Sequence, residues 1–257
     1  MKTVLFVNIP GTGKTMLAVA FYYYYKYGSG ADKIDYLSLW PPITEILFDE
    51  ILDNLRRGIP PTATEVDKPE KLKFEIKIGG ISYSFTFYSL SGEIIKEFAR
   101  NRNEKEIRRL LRTNRHIREF ANKLLHKSSV LVITFDPTLR EAREILQSRC
   151  LCNTLLTVYA KESRSLLRRK EKIGKPVIVA ITKCDLVNIE DPEQFLKKKD
   201  PLLYGVIRNR FKNYYFIKTS AYGKARRIDS NEYVPEEGTM KPIGMDKLLE
   251  LIINISS

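Results

Sequence analysis

Cysteine and long apolar runs are both scarce in this 257-residue chain. Its three cysteines, Cys150, Cys152 and Cys184, offer neither a paired framework nor a metal-ligand spacing, which argues against a disulfide-rich secreted domain and a structural zinc site. No segment has the roughly 20 apolar residues that a transmembrane helix requires. The apolar stretch after Lys2 ends within about six residues in a polar loop, which is too short for a signal core. We therefore expect a cytoplasmic protein without a transmembrane segment.

Acidic residues are outnumbered: 31 Asp and Glu stand against 44 Lys and Arg, for a formal net charge of +13. A solvated basic surface explains this balance, and so does an acidic partner such as nucleic acid, an anionic membrane or an acidic protein. The basic residues concentrate on a predicted helix over residues 100–118, at Arg100, Arg102, Lys105, Arg108, Arg109, Arg112, Arg115 and Arg118. We expect this helix to be a docking surface, and peripheral attachment to a membrane stays open as an alternative.

Strand-like and helix-like segments alternate along the chain, which predicts an α/β architecture: a mostly parallel sheet with helices on both faces. Six strands are predicted, over residues 4–7, 71–78, 81–88, 129–135, 176–182 and 214–218. Helices are predicted over residues 16–27, 43–57, 94–127, 138–172 and 245–255. No repeat or linker divides the chain. We predict one domain with insertions at about residues 31–69, 94–127 and 222–244.

The most informative motif follows the first predicted strand, where Gly11, Gly13, Lys14 and Thr15 lead into a helix. A strand, a glycine-rich loop and a helix in this order wrap backbone N–H groups around a polyphosphate. Lys14 would reach the β- and γ-phosphates, and the Thr15 hydroxyl would bind Mg²⁺. Asn8 stands where the full pattern has glycine, and asparagine tolerates left-handed backbone angles. The loop therefore predicts a nucleotide-binding protein.

Two later strands end in loops with their own chemistry, Thr182-Lys183-Cys184-Asp185 and Thr219-Ser220-Ala221. With the phosphate loop, these motifs resemble the Ras-like superfamily of small GTPases over nearly the whole chain. The resemblance implies a P-loop fold in which Asp185 accepts hydrogen bonds from guanine N1–H and its amine. Lys183 would lie along the base and ribose, and the Ala221 amide would meet O6.

The same resemblance favours GTP or GDP over ATP. Adenine presents an acceptor where guanine presents N1–H, so a carboxylate there would stay unpaired, which costs about 1–3 kcal/mol or more when the group is charged. Ligands of such sheets bind at the carboxyl ends of the strands, where these motifs lie. The predicted nucleotide-binding residues are Asn8, Gly11, Thr12, Gly13, Lys14, Thr15, Met16, Thr182, Lys183, Asp185, Ser220 and Ala221.

The predicted catalytic centre departs from the family pattern. The family places Asp-x-x-Gly after its third strand, and this chain has Ser89-Leu90-Ser91-Gly92. Gly92 fits the γ-phosphate contact, whereas Ser89 supplies no negative charge for Mg²⁺. Glu93 stands where many relatives have the glutamine that orients the attacking water. With Lys14 stabilising charge on the phosphoryl group, these residues predict slow GTP hydrolysis.

A threonine before the second predicted strand completes the resemblance. The family's first switch supplies a threonine to Mg²⁺ and the γ-phosphate, and Thr62 occupies that part of this chain, with Thr64 and Thr44 as alternatives. The resulting Mg²⁺ ligands are Thr15, Thr62 and Ser89. Because switch segments of the family bind effectors and regulators, a protein partner is expected there.

Two other functions stay open. Asp136 ends an apolar strand, which is how many ATPases place a metal-site aspartate, although an Asp-Pro turn cap explains the same residue. The departures at Asn8, Ser89 and Glu93 also allow a guanine-nucleotide-binding scaffold that does not hydrolyse GTP. A molecular switch with slow GTPase activity is the function predicted first.

Overall fold

The computed structural model describes residues 1–8, 13–61, 71–89, 128–139, 172–229 and 232–256, together with Arg109, Thr113 and Leu156. The predicted helices over 94–127 and 138–172 lie outside the described residues, apart from those three positions, which are helical, and residues 138, 139 and 172, which are not. Arg109 and Thr113 are helical and exposed, and the rest of the predicted basic helix over 100–118 lies outside the described residues. Within the described part of the chain, no helix is both long and apolar enough to cross a membrane.

A seven-stranded, mostly parallel sheet forms the centre of the fold, in the order β2-β3-β4-β1-β5-β6-β7. Its strands are β1 (Lys2–Asn8), β2 (Tyr36–Trp40), β3 (Lys71–Ile78), β4 (Ile81–Ser89), β5 (Val130–Phe135), β6 (Val177–Ile181) and β7 (Tyr214–Lys218). Strand β1 pairs in parallel with β4 and β5, and β5, β6 and β7 continue the parallel ladder. A separate antiparallel ribbon joins β8 (Ala225–Arg227) and β9 (Tyr233–Pro235).

The predicted hairpin is confirmed, because β3 and β4 pair antiparallel with Ile78 opposite Ile81 across Gly79-Gly80. The prediction of a six-stranded sheet is wrong by one strand, because β2 adds an antiparallel edge strand beside β3. Leu37 and Leu39 of β2 pack against the core while Tyr36 and Trp40 are exposed, so the strand has the expected alternation. Its shortness hid that pattern within the insertion predicted at residues 31–69.

Five helices are described: α1 (Lys14–Lys26), α2 (Ile43–Arg56), α3 (Pro192–Lys199), α4 (Pro201–Arg210) and α5 (Met245–Ser256). Helices α1, α2 and α5 cover one face of the sheet, over a core that includes Phe6 and Phe87, whose rings stack at 4.1 Å. Helices α3 and α4 cover the other face, above β5 and β6. The prediction of helices on both faces is confirmed. Strands β5 and β6 are buried along their whole length, as their apolar runs predict.

Helix α1 is fixed on both sides by tyrosine hydroxyls. The Tyr22 hydroxyl donates to Asp49 Oδ1 of α2 at 2.8 Å, and the Tyr25 hydroxyl donates to the Met245 carbonyl of α5 at 3.3 Å. Burial raises the pKa of both phenols, so each stays a protonated donor. The helix that follows the predicted phosphate loop is therefore held firmly against its neighbours.

Candidate functional site

The predicted motifs meet at one edge of the sheet, because the strands that carry them run parallel. Val7 of β1 pairs with Ile133 of β5, and Phe135 pairs with Ile181 of β6. Ile181 in turn pairs with Lys218 of β7. The loops after β1, β5, β6 and β7 therefore leave the sheet side by side.

Strand β4 ends at the same edge. Asn8, the last residue of β1, pairs with Ser89, the last residue of β4. The residue predicted to begin the phosphate loop and the residue predicted to assist Mg²⁺ thus lie on adjacent strands at the same level. The loop that follows Ser89, with Gly92 and Glu93, lies outside the described residues, as do Gly11, Thr12 and Thr62.

Gly13 starts α1 in the left-handed conformation, with φ 79° and ψ 14°. Its carbonyl accepts the first helical hydrogen bond, from the Leu17 amide at 2.8 Å. A Cβ at this position would lie 3.8 Å from Thr182 Oγ1 and 3.9 Å from Lys183 Cε. The contact distances are ordinary, so it is the backbone angle that requires glycine here, at a cost of about 1–2 kcal/mol for another L-residue. A methyl group on Gly13 would thus contact the loop after β6, which places the start of α1 close to that loop.

The first turn of α1 carries Lys14 and Thr15 and has no acidic residue. Helix N-termini expose amide N–H groups and the positive end of the helix dipole, so they favour anions. Lys14 is buried, with 6 % of its surface exposed, which is uncommon for a lysine side chain. The arrangement can bind a phosphate group at the start of α1.

A partly buried ion pair links the loops after β5 and β6. Lys183 Nζ donates to Asp136 Oδ2 at 2.6 Å, and Asp136 is 2 % exposed. The other carboxylate oxygen, Oδ1, accepts from the Thr138 amide at 2.8 Å and from its hydroxyl at 2.6 Å. Both oxygens of Asp136 are thus engaged, and its interpretation as a turn cap is confirmed. The pairing with Lys183 was not predicted.

Lys183 has a φ of 54°, and it is the one non-glycine residue with a positive φ in the described ranges. The Leu186 amide donates to its carbonyl at 3.0 Å, which closes a turn around it. A lysine in this conformation costs about 1–2 kcal/mol, and such strain persists where the surroundings impose it, commonly at functional sites. The Lys183 ammonium group bonds to Asp136 after β5, and its Cε lies 3.9 Å from where a Cβ on Gly13 would be, so the side chain lies near the loops after β1 and β5.

The β6 and β7 loops are tied together beside Asp185. The Thr219 amide donates to the Ile181 carbonyl at 2.8 Å, and the Cys184 amide donates to the Thr219 carbonyl at 3.1 Å. Burial, followed by the negative charge of Asp185, raises the pKa of the Cys184 thiol to about 11. The same two causes raise the pKa of the Tyr222 phenol. Both groups therefore remain neutral near Asp185 at ordinary pH.

Ser220 shapes the turn that contains Ala221. Its Oγ accepts from the Tyr222 amide at 3.2 Å and from the Gly223 amide at 2.9 Å. Its backbone exchanges two hydrogen bonds with Ile243, at 3.1 and 2.9 Å, which fixes the turn to the segment before α5. This side-chain role differs from direct nucleotide contact, and it explains why a short hydroxyl residue precedes Ala221.

The motifs therefore predicted that Gly13, Thr182 and Lys183 lie close together at one edge of the sheet, next to the turn after β7. It did not predict the bond from Lys183 to Asp136. The only sequence signal for that bond was an aspartate at the end of β5, level with the lysine that follows β6. That signal had two other interpretations, a turn cap and a metal ligand.

The donors expected for Mg²⁺ are hydroxyl groups. Across the described ranges, no group of three or more His, Cys, Asp or Glu side chains could hold a metal ion. Mg²⁺ prefers oxygen ligands, keeps several waters and often takes the rest from substrate phosphates. The Thr15 hydroxyl at the start of α1 fits such a site only when a phosphate supplies negative charge.

The chain matches no protein-family model, and no curated protein matches it significantly. The Ras-like resemblance therefore remains a prediction carried by the motifs at the strand ends.

Proposed function

We propose that this chain is a guanine-nucleotide-binding protein of the Ras-like kind that acts as a molecular switch and hydrolyses GTP slowly. The observation that carries the proposal is the approach of Gly13, at the start of α1, to Thr182 and Lys183 after β6. Loops that bind phosphate and base must lie within one nucleotide of each other, and these two loops do. The strand ends around β1 are also the usual ligand site of an open α/β sheet.

The phosphates would bind at the N-terminus of α1. Backbone amides there, including those of Gly13 and Thr15, would face the phosphate oxygens, and Lys14 would balance their charge. The burial of Lys14 supports this role because a desolvated ammonium group interacts strongly with an anion. Gly11, Thr12 and Met16 belong to the same proposed set.

The base would bind between the loops after β6 and β7. Asp185 would accept from guanine N1–H and the exocyclic amine, while the Ala221 amide would donate to O6. The hydrogen bonds that Ser220 accepts from the following amides support a rigid turn at this place. Bound Mg²⁺ would supply positive charge to the phosphates, with Thr15, Thr62 and Ser89 as its proposed protein ligands.

Slow hydrolysis is proposed from the sequence of the loop after β4. Ser89 lacks the charge of an aspartate, and Glu93 would repel the γ-phosphate while it orients water. Gly92 would contact the γ-phosphate through its amide. We propose two kinds of partner. An effector or regulator protein would bind the switch segments, and an anionic membrane surface or nucleic acid would bind the basic residues over 100–118.

The test is a titration of the purified chain with Mg²⁺-GTP, Mg²⁺-GDP and Mg²⁺-ATP, with phosphate release followed in parallel. Guanine nucleotides should bind in preference to ATP, and turnover without a partner should stay below about 1 s⁻¹, the range of activated GTPases. Preference for ATP would overturn the proposal. Tight GTP binding without any phosphate release would instead favour the scaffold, since that is the expectation from Asn8, Ser89 and Glu93 together.

Asp185→Asn tests the base assignment. An amide in place of the carboxylate should lower GTP affinity by tenfold or more and favour xanthosine triphosphate, whose base offers an acceptor at the matching position. Asp191→Asn is the matched control, because Asp191 caps α3 by accepting from the Glu193 and Gln194 amides and asparagine caps equally well. Unchanged GTP affinity in Asp185→Asn would show that the guanine assignment is wrong.

The ATPase alternative receives no support from the contacts of Asp136. A metal-site aspartate needs an oxygen directed at the metal or its water, and both Asp136 oxygens accept from Lys183 and Thr138. The nucleotide titration decides between the two functions.

A further inference from the structure

We propose that Asp136 is a positioning residue for nucleotide binding, which acts by fixing Lys183 across the start of the phosphate loop. This inference rests on the proposed function. It gives the buried carboxylate after β5 a role that is neither metal binding nor base recognition. Its starting point is that the side chain of Lys183, in the loop after β6, bonds to Asp136 after β5 and has its Cε 3.9 Å from where a Cβ on Gly13 would lie.

The geometry of Asp136 is that of a fixed acceptor. The Thr138 amide and hydroxyl hold Oδ1, which leaves Oδ2 directed at Lys183 Nζ at 2.6 Å. The Asp136 side chain is 1 % exposed and that of Lys183 is 33 % exposed, so water reaches the ion pair only from the Lys183 side and screens its charges weakly. Charge-assisted hydrogen bonds in such surroundings are short and directional.

The geometry of Lys183 shows what the bond controls. A flexible lysine stem would sample many rotamers, and its backbone already adopts an unfavourable left-handed φ of 54°. The bond to Asp136 limits the stem to a path beside Gly13, where Cε lies 3.9 Å from the position of a Gly13 Cβ. Asp136 thereby holds ready the side chain proposed to lie along base and ribose.

Asp136→Asn removes the acceptor with almost no change of volume. The amide oxygen can still accept from Thr138, but the amide nitrogen would then face Lys183 Nζ, and two donors cannot bond. We expect the dissociation rate of a fluorescent N-methylanthraniloyl GDP to rise about tenfold, the usual effect of losing one charge-assisted hydrogen bond. Asp200→Asn is the matched control: Asp200 is also 2 % exposed but caps α4 by accepting from the Leu203 amide at 3.0 Å. Its dissociation rate should stay within about twofold of the unsubstituted chain.

A double-mutant cycle separates positioning from a general structural effect. In a Lys183→Met background, Asp136→Asn should accelerate GDP release by less than about twofold further, because the partner through which it acts is gone. The thermal midpoint of each nucleotide-free variant is measured alongside. If Asp136→Asn does not fold, Asp136→Glu replaces it, which keeps the charge, displaces the carboxylate by one methylene and should accelerate release about threefold.

The outcomes are distinguishable. If the unsubstituted chain does not bind guanine nucleotides, both the proposed function and this inference are overturned. If it binds them and Asp136→Asn releases GDP at the original rate, only the inference fails. An acceleration that persists in full when Lys183 is methionine also overturns it, because Asp136 would then act by another route.

Discussion

Gly223→Ala should be among the most damaging substitutions that add a single methyl group to this chain. Gly223 lies at φ +80°, and a Cβ there would be 2.0 Å from the Lys241 carbonyl oxygen, a distance that real Cβ atoms essentially never show. Gly80, in the β3–β4 turn, has the same φ of +80°, but a Cβ there would meet nothing within 4 Å. The two glycines therefore separate backbone strain from steric conflict.

The magnitude follows from this comparison. Left-handed strain should cost both alanine variants about 1–2 kcal/mol of unfolding free energy. In Gly223→Ala the 241 backbone must also move away, which weakens the bond from the Lys241 amide to the Tyr222 carbonyl, now 3.0 Å. Losing that bond and overpacking the turn add about 2–4 kcal/mol. The expected losses are about 3–6 kcal/mol for Gly223→Ala and about 1–2 kcal/mol for Gly80→Ala.

Urea denaturation of the two variants and the unsubstituted chain measures these losses. Guanine-nucleotide affinity is measured on the same samples, because the Gly223 amide donates to Ser220 Oγ and so supports the proposed base-binding turn. Gly223→Ala should lose affinity while Gly80→Ala should retain it. Equal losses of stability in the two variants would refute the steric argument, and a retained affinity would refute the link to the turn.

Two further predictions concern the same edge of the sheet. Gly13→Ala should cost about 1–2 kcal/mol of unfolding free energy and weaken GTP binding, because residue 13 has a φ of 79°. The cost comes from the backbone angle alone, since Thr182 leaves room for a methyl group. An unaltered urea midpoint and an unaltered GTP affinity would contradict the prediction. For Cys184, burial raises the thiol pKa from 9.0 to about 11, so its contribution to stability is complete below pH 9 and is lost as the pH rises toward 11. Cys184→Ala should therefore show a flatter decline of unfolding free energy across that window, and parallel pH curves for the two proteins would show that the thiol does not titrate there.

The central sheet could be predicted because its strands carry strong local signals. The fully apolar runs of β5 and β6 have few alternatives once their length excludes a helix, and Gly79-Gly80 specifies the turn between β3 and β4. Helices α1, α2 and α5 begin and end within about two residues of the predicted bounds. Amphipathic spacing is sufficient for them because each buries one face on the sheet.

The short elements were missed for a physical reason as well. Helices α3 and α4 have 8 and 10 residues, too few for a clear hydrophobic period. Their signals are local: Asp191 and Asp200 each precede a proline, and each side chain accepts amide hydrogen bonds in the first turn. Strands β8 and β9 have three residues each and pair across the intervening turn, so their stability comes from contacts that the local sequence does not specify.

The candidate site also has one part that the sequence predicted and one part that it did not. That Gly13 and Lys183 lie at one edge follows from parallel strands, and the motifs were enough to predict it. The bond between Lys183 and Asp136 depends on how far one side chain reaches over two neighbouring loops. Sequence spacing does not contain that distance, because the loops differ in length and Lys183 adopts a φ that few lysines have. The ion pair between these two loops could therefore be found only in the structure.

The topology separates the parts of the chain that we propose for base binding from those that we propose for hydrolysis. From β1 the chain passes to the β2–β3–β4 side of the sheet and then crosses to β5 on the other side of β1. The crevice outside β1 lies where the connections diverge, which is the usual ligand site of such sheets. Loops from the β5–β7 side can hold a base through rigid turns such as that of Ser220, while the loop after β4 supplies the residues proposed for the γ-phosphate. Because the two sets come from opposite sides of β1, Ser89 and Glu93 can depart from the GTPase pattern without disturbing the base recognition that we propose for Asp185.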